Sequence, residues 1–291
     1  MIIGFGTRHI YDRIVEPFVK KAEGKFHYTS NGTVQPHERT KWETFDRDEW
    51  LKDKTPAAIM GCTRGTEYVV WDCKEHNIPY YYFDHAYLYK ARGHRINPDV
   101  KTRIYRITKN AENYNKLIDW RKDSTLSARV SKLFRQQRPG IDVHYYRRHN
   151  GKNIVVLPPT DAMCRLYHYG TSDTWTEKTV SEIKKYTDRK VIIKRKDDTE
   201  KSLDTLFRNA HCVVSSQTTA VIEGIIKGVP SFCEDISAAL PVSKTDLSQI
   251  ETPHYPTNEE LEDWVGSLIS CQYTIQEIHN GTAKELIDRI Q

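Results

Sequence analysis

The chain has 291 residues, of which 38% are hydrophobic and 29% are charged, a composition that allows a folded core in two domains of ordinary size. Its six cysteines include no Cys-x-x-Cys pair, which argues against a disulfide framework and against structural zinc. The sequence shows neither a secretory leader nor an apolar run of membrane length, so we expect a cytoplasmic protein with no membrane partner.

The positive charge is concentrated in one stretch of the chain. The whole sequence carries a net charge of +5. Residues 90–149 contain 16 Lys and Arg against 5 Asp and Glu, a net charge of +11, and the remaining residues carry −6. Such an asymmetry concerns the partner of the protein rather than its fold.

The first half of the chain alternates predicted strands with predicted helices. The strands are predicted at 1–4, 25–28, 57–60 and 80–83, and the helices at 10–21 and 66–76. This alternation predicts a doubly wound, mostly parallel sheet, whose ligands would meet the loops after the strands. Gly4 and Gly6 are interpreted as a tight turn, with or without a ligand at its backbone, because the third glycine of a dinucleotide motif is absent. Asp46-Arg47-Asp48 follows no apolar strand and is interpreted as an exposed helix start rather than a metal motif.

Asp84 and His85 follow the strand predicted at 80–83 and are candidates for a catalytic base. A transferase that moves a group onto a hydroxyl needs such a base. Partial burial among aromatic residues would make Asp84 a stronger base, whereas His85 competes because histidine is a common general base near neutral pH. Because side chains alternate at a strand end, only one of the two should face a ligand. We prefer Asp84; the alternatives are a turn cap for Asp84 and a surface position for His85.

Residues 90–149 have little strand pattern, and aromatic residues lie between the basic ones. A helix is predicted at 127–138 with basic residues close to one face. This mixture fits phosphate neutralisation combined with base stacking, so we expect DNA to bind here. The alternatives are an anionic polysaccharide or no specific partner. The predicted DNA contacts are Arg64, Lys90, Arg92, Arg95, Arg103, Arg106, Arg129, Lys132, Arg135, Arg147 and Arg148.

A second α/β domain is predicted over residues 151–291, after a first domain over residues 1–150. Its strands are predicted at 153–157, 190–193, 212–214 and 231–233. Its helices are predicted at 173–186, 203–210, 218–227, 261–269 and 282–290.

The centre of the second domain is a strand, a polar turn and a helix within residues 211–230. Hydroxyl residues at the turn leave the N–H groups and the positive end of the helix dipole facing outward, which suits a phosphate. Glu223, one turn into the helix, accepts hydrogen bonds only and is placed to hold two sugar hydroxyls. The strand at 190–193 ends in basic residues that would clamp a diphosphate and stabilise a leaving nucleotide, or are simply solvated. The residues assigned to this site are Lys196 and Arg195, Ser215, Ser216, Thr218, Thr219 and Glu223, with Gly6 from the first domain.

The run Glu223-Gly224-x-x-x-Gly228-Val229-Pro230 resembles the Glu-Ala-x-x-x-Gly-x-Pro signature of GT-B glycosyltransferases, with Gly224 in place of Ala. The resemblance implies two Rossmann-like domains facing across a cleft and a last helix that returns to the first domain. It also implies a UDP-sugar donor, with Glu223 at the ribose and Arg195 at the leaving group. A divalent metal would assist product release without being required.

The run from Phe83 to Leu88 and Tyr105-Arg106-Ile107-Thr108 resemble bacteriophage-type DNA glycosyltransferases. This implies a monomeric hexosyl- or pentosyltransferase in the host cytoplasm that modifies a hydroxymethylated pyrimidine, such as hydroxymethylcytosine, in double-stranded DNA. Two alternatives stay open. One is a GT-B enzyme that acts on a cell-surface glycan or polyol phosphate, and the other is a non-catalytic nucleic-acid-binding protein.

Overall fold

A computed structural model describes residues 1–6, 9–28, 45–61, 67–88, 104–136, 150–200 and 202–291, without the side chains of 6, 9–13, 27–28 and 133–136. The chain divides into two compact units: the first comprises Met1–Glu112 and Cys271–Gln291, and the second comprises Asn113–Ser270. The division therefore falls earlier than the boundary expected near Gly151. The reason is that residues after Asn113 pack with the second unit, where the helix at Ser124–Gln136 contacts the helix at Asn258–Ser270.

Both units combine β-strands with α-helices. The strands are β1 (Ile3–Gly6), β2 (Lys25–Tyr28), β3 (Ala57–Met60), β4 (Tyr80–His85), β5 (Ile104–Lys109), β6 (Asn153–Leu157), β7 (Val191–Ile193), β8 (Ala210–Ser215), β9 (Ser231–Cys233) and β10 (Gln272–Thr274). The helices are α1 (His9–Lys21), α2 (Arg47–Asp53), α3 (Glu67–His76), α4 (Ser124–Gln136), α5 (Asp161–Leu166), α6 (Ser172–Ile183), α7 (Leu203–Phe207), α8 (Thr219–Ile226), α9 (Asn258–Ser270), α10 (Ile275–Asn280) and α11 (Thr282–Ile290). No helix in these ranges is both long and apolar enough to span a bilayer.

The first unit is built on a six-stranded sheet with the order β10-β5-β4-β3-β1-β2. Strands β1 to β4 are parallel, whereas β5 is antiparallel to β4 and β10 is antiparallel to β5. The parallel part agrees with the predicted strands, but β5 and β10 were not predicted. Five consecutive residues of β5 are buried, Ile104 to Thr108. A strand covered on both faces shows no polar alternation, so its signal in a basic stretch is weak.

Gly4 lies inside β1, not in a turn, which corrects the interpretation of Gly4 and Gly6. A Cβ atom on Gly4 would stand 2.6 Å from the ring of Phe26 and 2.8 Å from Val19. Glycine is therefore needed for close packing between β1, β2 and α1. Asp46 does start a helix, as predicted, and its carboxylate accepts the N–H of Glu49 at 2.9 Å.

The last helix, α11, belongs to the first unit and packs on β5. Asp288 of α11 accepts hydrogen bonds from Tyr81 at 2.6 Å, Lys109 at 2.8 Å and Lys284 at 2.6 Å. Burial alone would raise the pKa of Asp288, but these bonds, led by the one from Lys109, lower it to about 2. The carboxylate thus ties α11 to β4 and β5.

The second unit is built on a four-stranded parallel sheet with the order β7-β6-β8-β9. One face packs against α5 and α6 through a core that contains Cys164, Trp175 and Ile183. On the other face, Gly224 of α8 would place a Cβ atom only 3.2 Å from Val213 of β8, so α8 lies close to the sheet. The predicted α/β class, with two sheets rich in parallel strands, is confirmed.

Candidate functional site

The four parallel strands of the second unit end at one edge of the sheet, which we call the carboxyl edge. It is formed by the residues that follow the strands: 158–160 after β6, 194–196 after β7, 216–218 after β8 and 234–235 after β9. Open parallel sheets bind ligands at this edge. The candidate site therefore follows from where each polar residue stands along it.

The turn after β8 is held by Ser215 and contains a buried hydroxyl at Ser216. Ser215 Oγ donates to the carbonyl of Leu157 at 3.1 Å and accepts the N–H of Thr218 at 3.4 Å. Ser215 thus fastens the turn to β6, a structural use that was not predicted. Ser216 is fully buried, and its Oγ has no hydrogen-bond partner among the residues that the structure describes. A buried hydroxyl without a partner is unusual and calls for an explanation.

The first turn of α8 presents polar groups on one face. Thr218 caps the helix, accepting the N–H of Ala220 at a long 3.4 Å. Thr219 and Glu223, four residues apart, are partly exposed and share one face of the helix. The predicted pair of a helix N-terminus and a carboxylate one turn further is therefore present, and both suit a ligand with phosphate and hydroxyl groups.

Two asparagines that sequence reasoning missed also reach the carboxyl edge. Asn113 Nδ2 donates to Gln217 Oε1 at 2.9 Å, and both side chains are buried. Asn115 Nδ2 donates to the carbonyl of Asp235 at 2.6 Å. These isolated residues lie 104 and 120 positions before their partners, so no local pattern pointed to them.

Arg195 lies at the start of α6 and not at the turn after β8. Its guanidinium donates to Ser172 Oγ at 3.0 Å and forms an ion pair with Asp173 at 2.5 Å. The predicted diphosphate clamp requires this strand end to lie next to the turn after β8. This part of the prediction is wrong, because β6 separates β7 from β8 in the sheet. Lys196, the third basic residue of this strand end, is exposed.

Glu234, directly after β9, is a carboxylate of the edge that sequence reasoning did not find. Its Oε1 accepts the indole N–H of Trp175 at 2.8 Å, and its Oε2 accepts the hydroxyl of Tyr169. The backbone N–H of Glu234 donates to the carbonyl of Ser216 at 3.1 Å, which places it beside the turn after β8. Burial and the bond to Glu234 raise the pKa of Tyr169, so the tyrosine stays a hydroxyl donor. An acidic residue directly after a parallel strand was the available signal.

In the first unit, Asp84 forms an ion pair with Arg106, its direct partner in the β4–β5 register. Arg106 Nη2 donates to Asp84 Oδ2 at 2.7 Å, and the N–H of His85 donates to Oδ1 at 2.7 Å. The side chain of Arg106 is 5% exposed and that of Asp84 is 32% exposed. Arg106 also lies over the ring of Tyr87 at 4.5 Å. The surroundings of Asp84 are therefore ionic and not purely aromatic as expected.

His85 is exposed, and its ring stacks on Tyr105 with centroids 6.0 Å apart. Tyr105 and Arg106 are consecutive on β5, so His85 and Asp84 lie on opposite faces of the sheet, as strand alternation requires. Arg106 was predicted to contact DNA, but it is buried and paired, and this expectation is corrected.

The other residues predicted to contact DNA lie partly outside and partly inside the described part of the chain. Outside the described part of the chain lie Arg64, Lys90, Arg92, Arg95, Arg103, Arg147 and Arg148. Arg135 lies in α4, with its side chain undescribed, and Lys132 is exposed on the same helix. Arg129 donates to the carbonyl of Ile269 at 3.3 Å, and Arg121 pairs with Glu262 at 3.0 Å and with Asp263. Some of the positive charge of this stretch is thus used inside the protein.

Among the described residues, Asp72, Glu75 and His76 have atoms within 4.8 Å of one another that could ligate a metal. Both carboxylate oxygens of Asp72, however, accept hydrogen bonds from Arg47 at 2.6 and 2.7 Å. The guanidinium of Arg47 therefore occupies the carboxylate that a metal ion would have to bind.

No family model matches the chain, and no curated protein matches it in sequence. Among solved structures, it is similar to the KpsC beta Kdo 2,7 transferase of Thermosulfurimonas dismutans, with 15% identity, 99% of each chain covered and a TM-score of 0.48. The KpsC beta Kdo 2,4 transferase of that organism gives 11% identity, 99% and 98% coverage and a TM-score of 0.45. The UDP-GlcNAc 2-epimerase of Methanocaldococcus jannaschii, solved with UDP-GlcNAc and UDP, gives 12% identity, 99% and 98% coverage and a TM-score of 0.25. Likeness at these TM-scores decides neither fold nor activity, which depend on the sheets and side chains of this chain.

Proposed function

We propose that this protein is a glycosyltransferase that takes a sugar from a UDP-type nucleotide sugar. The observation that carries the proposal is the first turn of α8, where Thr219 and Glu223 share a partly exposed face directly after a parallel strand. The N-terminal N–H groups and the helix dipole favour a diphosphate. Glu223 is the acceptor for the ribose hydroxyls.

The leaving diphosphate would be stabilised from the strand end of β7. Arg195 and Lys196 lie two strands from β8, roughly 10 Å away at the usual strand spacing. Arg195 must release Asp173 to reach a phosphate bound at α8. Because this ion pair is largely exposed, with side-chain exposures of 44% and 75%, exchanging one anion for another costs little.

The chemical step transfers the sugar to an acceptor hydroxyl. A base removes the hydroxyl proton, the oxygen attacks the anomeric carbon, and the bond from that carbon to the diphosphate oxygen breaks, so that the nucleotide leaves as an anion. We assign the base to Asp84. Its carboxylate is held by Arg106 and by the N–H of His85, which fixes its orientation. His85, exposed on the opposite face, is the competing base.

For the acceptor we propose a hydroxymethylated pyrimidine in double-stranded DNA. The support is the net charge of +11 over residues 90–149, together with the aromatic residues between the basic ones. Arg106 and Arg121 are used internally. The DNA contacts are therefore assigned to the other basic residues of the stretch, including Lys132.

The test is a transfer assay with radiolabelled nucleotide sugars. The acceptors are duplex DNA with 5-hydroxymethylcytosine, duplex DNA with 5-hydroxymethyluracil, unmodified duplex DNA and a panel of glycans and polyol phosphates. We expect label only in the hydroxymethylated DNA. At donor concentrations below KM, Glu223→Ala should lower transfer about tenfold or more. Glu182→Ala, which changes an exposed carboxylate of α6, should not.

The other outcomes separate the alternatives. Label in a glycan or polyol phosphate alone would keep the glycosyltransferase and refute the DNA acceptor. Salt-sensitive DNA binding without transfer from any donor would favour a non-catalytic nucleic-acid-binding protein. Neither transfer nor nucleotide binding would refute the proposed function as a whole.

A further inference from the structure

Glu234 takes no part in the proposed phosphate and ribose contacts, although it lies on the carboxyl edge beside the turn after β8. Each of its carboxylate oxygens accepts one hydrogen bond, from Trp175 and from Tyr169. A carboxylate offers about four acceptor positions, so each oxygen retains acceptor capacity. The side chain is partly exposed and is held in one orientation by two aromatic donors.

The negative charge of Glu234 determines which groups of a ligand it can bind. A carboxylate repels phosphate and accepts hydrogen bonds from hydroxyl groups. The edge thus carries cations at β7, where Arg195 and Lys196 follow the strand, and an anion at β9. Hydroxyl groups and the α8 N-terminus lie between them. A nucleotide sugar has its negative charge in the diphosphate and neutral hydroxyls on the sugar, so only one of its ends suits β9.

The neighbours of Glu234 also suit a sugar. The hydroxyl of Ser216 is fully buried without a partner among the described residues, and the carbonyl of the same residue accepts the N–H of Glu234. Tyr169 stacks on Tyr167 with ring centroids 5.7 Å apart. Trp175 and Tyr169 both donate hydrogen bonds to Glu234. Aromatic rings next to hydroxyl and carboxylate groups give an apolar body with a few fixed polar contacts, as small-ligand sites require.

We propose that Glu234, oriented by Tyr169 and Trp175, binds hydroxyl groups of the transferred sugar. The inference rests on the proposed function and deepens it, because it orients the donor across the edge: diphosphate at β8 and toward β7, sugar toward β9. It also makes Glu234 a residue that discriminates among sugars by the hydroxyls they offer.

The test is isothermal titration of the full chain with UDP and with UDP-glucose, which differ only in the sugar. In Glu234→Gln we expect UDP to bind within about twofold of wild type, while UDP-glucose loses about tenfold or more, since one good hydrogen bond to a charged group corresponds to about a tenfold change in affinity. Tyr169→Phe keeps the aromatic ring but removes one of the two hydrogen bonds that orient the carboxylate of Glu234. Its affinity for UDP-glucose should therefore fall about two- to fivefold, and its affinity for UDP should not change. Glu182→Gln is the matched control and should bind both ligands as wild type does.

Three results would overturn the proposal. Equal weakening of UDP and UDP-glucose in Glu234→Gln would place the residue at the nucleotide or give it a structural role. Unchanged binding of both ligands in Glu234→Gln would remove it from the site while leaving the proposed function in place. If wild type binds neither ligand, the proposed function fails together with the inference. Should Glu234→Gln not fold, as judged by circular dichroism, Tyr169→Phe decides by the same comparison.

Discussion

Replacing Asp84 by Ala should destabilise the protein as well as test catalysis, because it removes the carboxylate that pairs with the buried guanidinium of Arg106. Arg106 has a side-chain exposure of 5%. Other groups near the guanidinium include the carbonyls of His85 at 3.4 Å and Glu112 at 3.5 Å and the ring of Tyr87. Carbonyl dipoles and an aromatic ring stabilise the positive charge of Arg106 less than a carboxylate does.

The expected size follows from the geometry. Breaking a buried ion pair by removing one partner costs about 3–5 kcal/mol. Asp84 is 32% exposed and water can enter the space it leaves, so we expect a cost at or just below the lower limit of this range, about 2–3 kcal/mol. At about 2–4 °C per kcal/mol for a domain of moderate size, Tm should fall by about 4–12 °C. Thermal unfolding followed by far-UV circular dichroism measures this change.

A double variant separates the charge from the catalytic role. Asp84→Ala with Arg106→Met removes both partners and fills the space with an apolar chain, so at least half of the lost Tm should return. Transfer activity should not return, because the base is still missing. The reasoning would be refuted if Asp84→Ala melted like wild type, or if the double variant were no more stable than Asp84→Ala.

Three further predictions concern binding, packing and pH. Glu223→Ala should raise the KM for the donor about tenfold or more with a smaller change in kcat; steady-state kinetics showing a fall in kcat alone would speak against a ribose contact. Gly4→Ala should cost about 1–3 kcal/mol, because the new Cβ meets the ring of Phe26 at 2.6 Å; an unchanged urea midpoint would contradict this. The pKa of Asp288 is lower in the folded chain, about 2 instead of 3.8, so its stabilisation is complete above the unfolded value and is lost as the pH falls from about 4 to about 2. Asp288→Asn should therefore be less stable at neutral pH, and its difference from wild type should vanish near pH 2; a difference that persists there would contradict the assignment.

The parallel frame could be predicted from the sequence, and the antiparallel additions could not. β3 and β6 are short apolar runs bounded by turn residues, and their predicted bounds agree with the structure. β5 is equally buried but contains Arg106, whose charge is compensated by a residue on another strand. β10 has three residues, and its position beside β5 depends on a chain return over more than 160 residues. Pairings of this kind leave no local pattern.

The same distinction applies to the candidate site. The helix that starts after Thr218 and the carboxylate of Glu223 follow from local spacing, so they could be predicted. Arg195 could be placed at a strand end, but not across the sheet, because strand order is a non-local property. Asn113 and Glu234 act through partners far along the chain, and only the fold brings these partners together.

The ion pairs of the basic stretch reduce the charge that it can offer to DNA. A net charge of +11 over residues 90–149 produces a basic surface only if the side chains are exposed. Arg106 is buried against Asp84, and Arg121 pairs with two carboxylates of α9 while its guanidinium lies over Trp120 at 4.3 Å. Such residues stabilise strand and helix packing and release no counterions. The salt dependence of DNA binding should therefore report fewer phosphate contacts than the sequence charge implies, since each contact contributes about 0.9 to the slope of log K against log salt.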